Sequence, residues 1–250
     1  MRLHLESGGS GERTCLLLHG LGANAEVWRP LIECIEAEGG WRWFSPDLRG
    51  HGRSKRADAY SANLLAMDVL ETVGSASDRA VVLGHSLGGV VAMELASIPV
   101  GEPPRAVFGL GIKVEWSAAE LERMLEIAAR PARIVETRKA AIERHLLVCG
   151  LNGLIASDDP AAEVGVIACE GGWSIAVDPA ANAVGAPDMH RLTSAARCPI
   201  HLARGAADPL VSLETLKTHD PAAADIADSG HNAMIEVPEQ VWRWVRSWTD

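Results

Sequence analysis

The sequence predicts an α/β fold in which a mostly parallel sheet is covered by helices. Three observations lead there. Short β-rich runs alternate with helical stretches along much of the chain. One apolar run, Ala80 to Leu83, drives straight into Gly84-His-Ser86-Leu-Gly88, and the helix-compatible Val90 to Ala96 follows. The chain has 250 residues, enough for one domain with an insertion and a large core.

Taken in order, the β-rich runs are Thr14 to Leu18, Trp41 to Ser45, Ala80 to Leu83, Arg105 to Leu110, Pro199 to Ala203 and Ala224 to Ile226. Ser61 to Val73 carries Leu64, Leu65, Met67 and Leu70 at helical spacing, and Pro238 to Trp248 puts Val241, Val245 and Trp248 on one stripe. Both read as helices packed on the sheet. Trp242, Trp244 and Trp248 read as a core anchor, because tryptophan buries much apolar area at one point. From about Ile112 to His190 the rhythm changes. Helical stretches Ala118 to Ala129 and Arg133 to Val148 precede a Gly/Pro-rich run through Gly171, Gly172, Pro179 and Pro187. This divides the chain into a core, residues 1–111 and 191–250, and a cap insertion, 112–190, expected over the carboxyl ends of the strands.

Composition narrows the classes of function. A formal charge of −10 and a pI near 5.4 argue against nucleic acid or an anionic membrane as the main partner. The first residues hold no apolar stretch of signal-peptide length, and no later run is long enough to span a bilayer, so a cytoplasmic location is expected. The five cysteines lack CxxC spacing and read mostly as reduced core residues; the nine histidines include no HExxH pair. Neither a metal nor a cofactor is expected.

The Gly-x-Ser-x-Gly turn presents Ser86 as a nucleophile in a strained strand-to-helix corner, where Cβ atoms at Gly84 or Gly88 would collide with the backbone. A serine hydroxyl is a poor nucleophile at neutral pH and needs a base oriented by a carboxylate. Downstream, Ala203-Arg-Gly-Ala-Ala-Asp208 places an aspartate in a turn after a β run, and Asp228-Ser-Gly-His231 places a histidine in a Gly-marked loop after another.

The order Ser86, Asp208, His231 with this turn resembles the α/β-hydrolase superfamily, its serine esterases above all. His19-Gly20-Leu-Gly22 and Asp47-Leu-Arg-Gly-His-Gly-Arg-Ser54 carry the same resemblance. It implies an α/β-hydrolase fold, a sheet of about seven or eight strands with helices on both faces and a helical cap. It also implies an oxyanion hole from the backbone N–H groups of Leu21 and Leu87, with His19 and His51 structural. Only Leu3 to Glu6 precede Thr14, where the family has a hairpin, so a strand is missing or shortened. The activity implied is hydrolysis of a carboxylic ester of a small to medium apolar group through an acyl-enzyme. Trp28, Trp116 and Trp173 are the pocket candidates.

Leu21 to Arg29 also looks like the pimeloyl-carrier methyl ester esterases. That similarity implies an acyl carrier protein as a second kind of partner, for which Arg130, Arg133, Arg138, Lys139 and Arg144 form a cationic stretch. A thioesterase or lactonase would use the same machinery. Ser86 excludes the superfamily's aspartate-dependent dehalogenases and epoxide hydrolases. Carbon–carbon bond hydrolysis, perhydrolysis and a non-catalytic receptor rank lower. Gly20-Leu-Gly22-Ala-Asn-Ala25, with Asp47 as ribose ligand, also satisfies a dinucleotide fingerprint, but that reading leaves Ser86, Asp208 and His231 unexplained.

Overall fold

The computed structural model describes residues 1–249. Seven strands form the main sheet: β1 (Leu5–Gly9), β2 (Arg13–Leu18), β3 (Trp41–Pro46), β4 (Val81–His85), β5 (Ala106–Leu110), β8 (Ile200–Gly205) and β9 (Ala224–Ile226). A separate hairpin pairs β6 (Val166–Cys169) with β7 (Gly172–Ile175). The sheet order is β1-β3-β2-β4-β5-β8-β9, with β1 antiparallel to β3 and every other pair parallel. The expected N-terminal departure is therefore a single edge strand. Parallel strands deliver their carboxyl ends to one edge, so the loops that follow β2, β4, β5, β8 and β9 meet there.

The central strands β2, β4 and β5 are buried on both faces, and alternate residues serve opposite cores. Leu17, Leu83, Phe108 and Ala203 face α1 (Arg29–Glu38) and α10 (Pro238–Arg246), meeting Leu31, Ile35, Trp242 and Val245. Leu16, Val82, Val107 and Leu202 face α2 (Ala62–Val73) and α3 (Leu87–Ser97), meeting Leu65, Val69, Val91 and Met93. The Ser61 hydroxyl caps α2 by accepting from Leu64 N–H. Trp242 and Trp244 are buried in the first core, as expected. Trp248 is not: it lies beyond the end of α10, 47% exposed, and stacks on the His201 ring at 4.0 Å.

Between β5 and β8 lie α4 (Ala118–Ala128), α5 (Arg138–Val148), α6 (Pro160–Val164), the hairpin, a 3-10 turn at Pro179–Val184 and α7 (Met189–Ala195). A capping box between Ser117 and Glu120 starts α4, which buries none of its residues. α5 begins five residues later than the sequence predicts. The backbone of Val135 exchanges two 2.8 Å hydrogen bonds with Trp173, holding that stretch extended, and Thr137 then caps the helix. The hairpin itself escaped prediction, since Gly171 and Gly172 at its turn read only as loop. The segment is tied to the sheet by Asn24 Nδ2 donating to Ala161 O, Tyr60 donating to Asp178 Oδ2 and Asp178 N–H donating to Gly50 O. Short α8 (Leu213–Lys217) and α9 (Ala233–Glu236) complete the chain. No helix among the described residues is long and apolar enough to cross a membrane. Cys15 is fully buried, whereas Cys34, Cys149 and Cys198 are half-buried and Cys169 is exposed.

His19, His51, His85 and His145 are all buried. Burial disfavours the charged imidazole, holding His19 and His85 below the ordinary value and pushing His51 down to about 3 and His145 to about 4. In the unfolded chain these rings take up protons near the ordinary value of about 6.5. The unfolded state then binds more protons, so stability is complete above about pH 6.5 and declines as the pH falls through this window. Moving from about pH 7.5 to about pH 5 should remove roughly 2 kcal/mol for His51 and the same for His145. The thermal midpoint should fall over that interval and His145→Gln should flatten the decline; a midpoint that holds steady or rises would contradict this account.

Candidate active site

Ser86, between β4 and α3, has φ +50° and ψ −116°, a conformation that a residue with a side chain adopts only under constraint. The constraint is visible on both sides. Ser86 N–H donates to Leu110 O at 2.8 Å, and Gly89 N–H turns back onto Ser86 O at 3.0 Å. A Cβ on Gly84 would sit 2.2 Å from Gly88 O, and one on Gly88 would sit 2.0 Å from Leu18 O. Only glycine permits this approach of α3 to the ends of β4 and β2.

Asp208 and His231 arrive on the loops after β8 and β9. These loops are joined by backbone: Ala207 N–H donates to Ser229 O at 2.9 Å, and a Cβ on Gly205 would lie 1.9 Å from Gly230 O. The Asp208 carboxylate is buried; Oδ1 accepts from Leu210 N–H and Oδ2 lies 2.8 Å from His231 Nδ1. A carboxylate accepts there, which leaves His231 Nδ1 as the N–H and Nε2 with its lone pair. Ser86 and His231 line one hollow of about 480 Å³, with no hydrogen bond between their side chains among the described residues. Catalytic hydrogen bonds are often long before substrate binds.

The loop after β2 forms the opposite wall. His19 Nε2 accepts from Leu48 N–H at 2.9 Å, so its Nδ1 is the N–H and donates to Gly20 O at 2.8 Å. In a trans peptide the N–H points away from the C=O, so this bond turns Leu21 N–H away from His19. Neither Leu21 N–H nor Leu87 N–H donates to a protein group among the described residues. Leu87 opens α3, where first-turn amides have no helical partner and carry partial positive charge.

Leu21 and Leu87 also line a smaller cleft of about 70 Å³, which shares Leu21 and Ser86 with the larger hollow and where Trp116 is found. The other two tryptophan candidates are elsewhere. Trp28 is fully buried against the sheet because its 3-10 turn tucks it under α1; Trp173 lies in the β6–β7 hairpin with Arg138 over its ring, and neither lines either hollow. Asp47 is likewise unavailable to a ribose. Its carboxylate is buried and accepts from Ala25 N–H and from Arg53 N–H and Nε–H. Among the described residues no group of three or more His, Cys, Asp or Glu side chains could hold a metal ion.

The sequence profile of the alpha/beta hydrolase family matches residues 15–244. The chain belongs to this family. Part of this hydrolase is 43% identical over 88 residues to a pimeloyl-[acyl-carrier protein] methyl ester esterase of Edwardsiella ictaluri (strain 93-146), covering 35% of this chain and 32% of that one. A protein of the same name from Pectobacterium carotovorum subsp. carotovorum (strain PC1) is 39% identical over 94 residues, 38% of this chain and 35% of that one. The match spans about a third of the length of either relative. The solved structure of an E-2-(acetamidomethylene)succinate hydrolase superposes with a TM-score of 0.80 at 23% identity, covering 99% of this chain and 95% of that one. At that identity the likeness carries the fold alone.

Sequence reasoning missed three contributors to this hydrolase site. His85 Nε2 lies 2.8 Å from His231 O, so Nε2 carries the proton and anchors the loop, while Nδ1 is buried without a partner beside Gly20. Asn232 Nδ2 donates to Gly150 O, and Glu236 Oε2 accepts from Gly230 N–H. Each acts through backbone, so no motif marks it. The sequence shows Asn232 only as the neighbour of His231.

Gly88→Ala should destabilise the fold by about 1–3 kcal/mol or more, because the added methyl meets backbone that cannot swing aside. A denaturant titration beside the wild type measures this; an unchanged midpoint would mean that the corner yields.

Proposed function

We propose that this hydrolase cleaves a carboxylic ester through an acyl-enzyme on Ser86. The observation that carries the reading is one hollow holding a strained serine and a histidine whose far nitrogen is bonded to a buried aspartate. His231 Nε2 takes the Ser86 proton while Oγ attacks the ester carbon, and Asp208 holds the ring in the tautomer this requires. The C=O electrons move onto oxygen, which sits between Leu21 N–H and Leu87 N–H; one such donor contributes on the order of 3 kcal/mol to the transition state. Collapse breaks the C–O bond, and Nε2–H protonates the departing alkoxide. Water, deprotonated by Nε2, then releases the acid and restores Ser86. Every step uses this chain's own groups. His19 acts by orienting the Gly20–Leu21 peptide, and residues 112–190 serve as a cap that walls both hollows.

The curated relatives favour a second reading, a methyl ester of an acyl chain on a carrier protein. The cationic stretch supports docking less than its sequence suggests. Arg130, Arg138 and Lys139 lie beside Glu126, Glu163 and Glu143, which lowers the field an acidic carrier would meet. Carrier docking predicts turnover that falls with salt for a carrier-linked ester and not for a free one.

On p-nitrophenyl esters, Ser86→Ala and His231→Ala should each lower kcat by at least about 10⁴-fold, Asp208→Asn by about 10⁴-fold, and the double variants no further. A fluorophosphonate probe should label Ser86 once, seen by peptide mass spectrometry. Near-wild-type turnover by Ser86→Ala, or labelling at another residue, would end the proposal.

A further inference from the structure

We infer that the two hollows divide the substrate unequally, so that this chain acts on esters of a short acyl group with a larger apolar alcohol. The inference rests on Ser86 and His231 acting as proposed above. It assigns each side of the ester to a wall of the site.

The assignment follows from proton transfer. The base that takes the serine proton must hand it to the leaving oxygen, so the alcohol lies on the side where His231 stands. His231 lines the hollow of about 480 Å³ and is absent from the walls of the cleft of about 70 Å³. With the carbonyl oxygen directed at Leu21 N–H and Leu87 N–H, the acyl group is left facing the small cleft. That cleft is lined by Leu87, Val90, Ile112, Trp116, Met124 and Val184, with Lys113 among them, and its space of about 70 Å³ is a fraction of the larger hollow's, which favours a short acyl group.

The alcohol side is open and apolar. Its rim carries Leu147 (71% exposed), Val148 (51%), Leu154 (39%) and Leu210 (51%), contributed by three separate stretches of chain. Large aliphatic side chains converging from three directions on one mouth amount to a patch, and patches of this kind mark where an apolar ligand is covered. Two polar side chains of this hollow already have internal partners: Asn232 donates to Gly150 O and Glu236 accepts from Gly230 N–H. Leu210 is fixed in place, since its N–H donates to Asp208 Oδ1 at 2.8 Å. An alkyl alcohol laid across this rim removes exposed aliphatic surface from water while its oxygen stays within reach of His231.

Hexyl acetate and ethyl hexanoate are isomers that place the same six-carbon chain on opposite sides of the ester, so their comparison tests the assignment. Below its solubility limit, hexyl acetate should be hydrolysed with a kcat/KM at least about tenfold higher than ethyl hexanoate. Leu147→Ser and Leu154→Ser, both surface changes, should narrow that ratio several-fold by lowering the kcat/KM of hexyl acetate. Met124→Ala should narrow the ratio from the other side, by raising the kcat/KM of ethyl hexanoate. Preference for ethyl hexanoate, or equal rates, would overturn the assignment, as would a rate that rises only once the ester forms a separate phase, which would make the rim a lipid-surface contact. Fluorophosphonate labelling reports on the serine reading independently. Loss of labelling at Ser86 defeats that reading, whereas labelling with the reverse preference, or with turnover of neither isomer, defeats this inference alone.

Discussion

Where α3 leaves β4, its first turn lies so close to the end of β2 that a methyl group at position 88 would sit 2.0 Å from Leu18 O. That approach is the constraint on which the site depends. It forces Ser86 into a positive-φ corner, stands its side chain at the carboxyl edge of the sheet, and brings the amide of Leu87 beside the loop that follows β2. The local strain persists because the surroundings over-determine it: β4 is hydrogen-bonded on both sides by parallel neighbours, and α3 is buried along nearly its whole length.

Around that corner, position is set by backbone more than by side-chain packing. The Asp208 and His231 loops are hydrogen-bonded to each other, and His85, Asn232 and Glu236 each hold a carbonyl or an amide of the segment carrying His231 or of the loop it faces. His19 does the same for the loop that bears Leu21. Burial keeps His19 and His85 neutral, and a neutral imidazole is what these contacts require: one nitrogen donates, the other keeps its lone pair. Deep placement beneath the hollow thus maintains the tautomers that the geometry uses.

The sheet was readable because its central strands are apolar on both faces and most of its strands are separated by helices, so each β-rich run found its strand to within about two residues. Ser86, Asp208 and His231 were readable as candidates because strained turns and loop ends leave glycine and charge signatures in the sequence. What stayed hidden shares one cause: it depends on contacts between distant segments. The late start of α5 depends on Val135 pairing with Trp173, the burial of Trp28 on how α1 meets the sheet, and the exposure of Trp248 on where α10 stops. Tryptophan at a given position does not say which side of a helix or sheet it will occupy. The two hollows were invisible for the same reason, since their walls are assembled from five or more separate stretches.

α4 buries none of its residues, yet its Met124 lines the small cleft. A helix held at its start by a capping box, and contributing little to either core, can exchange most of its side chains with scarcely any effect on folding. Drift along this one helix would therefore resize the acyl side freely, whereas the strand-borne groups beneath it are bound by the packing of the whole sheet. Change in substrate preference and retention of the fold are thereby uncoupled, and of all the walls of the site this helix is the one on which selection meets the least resistance.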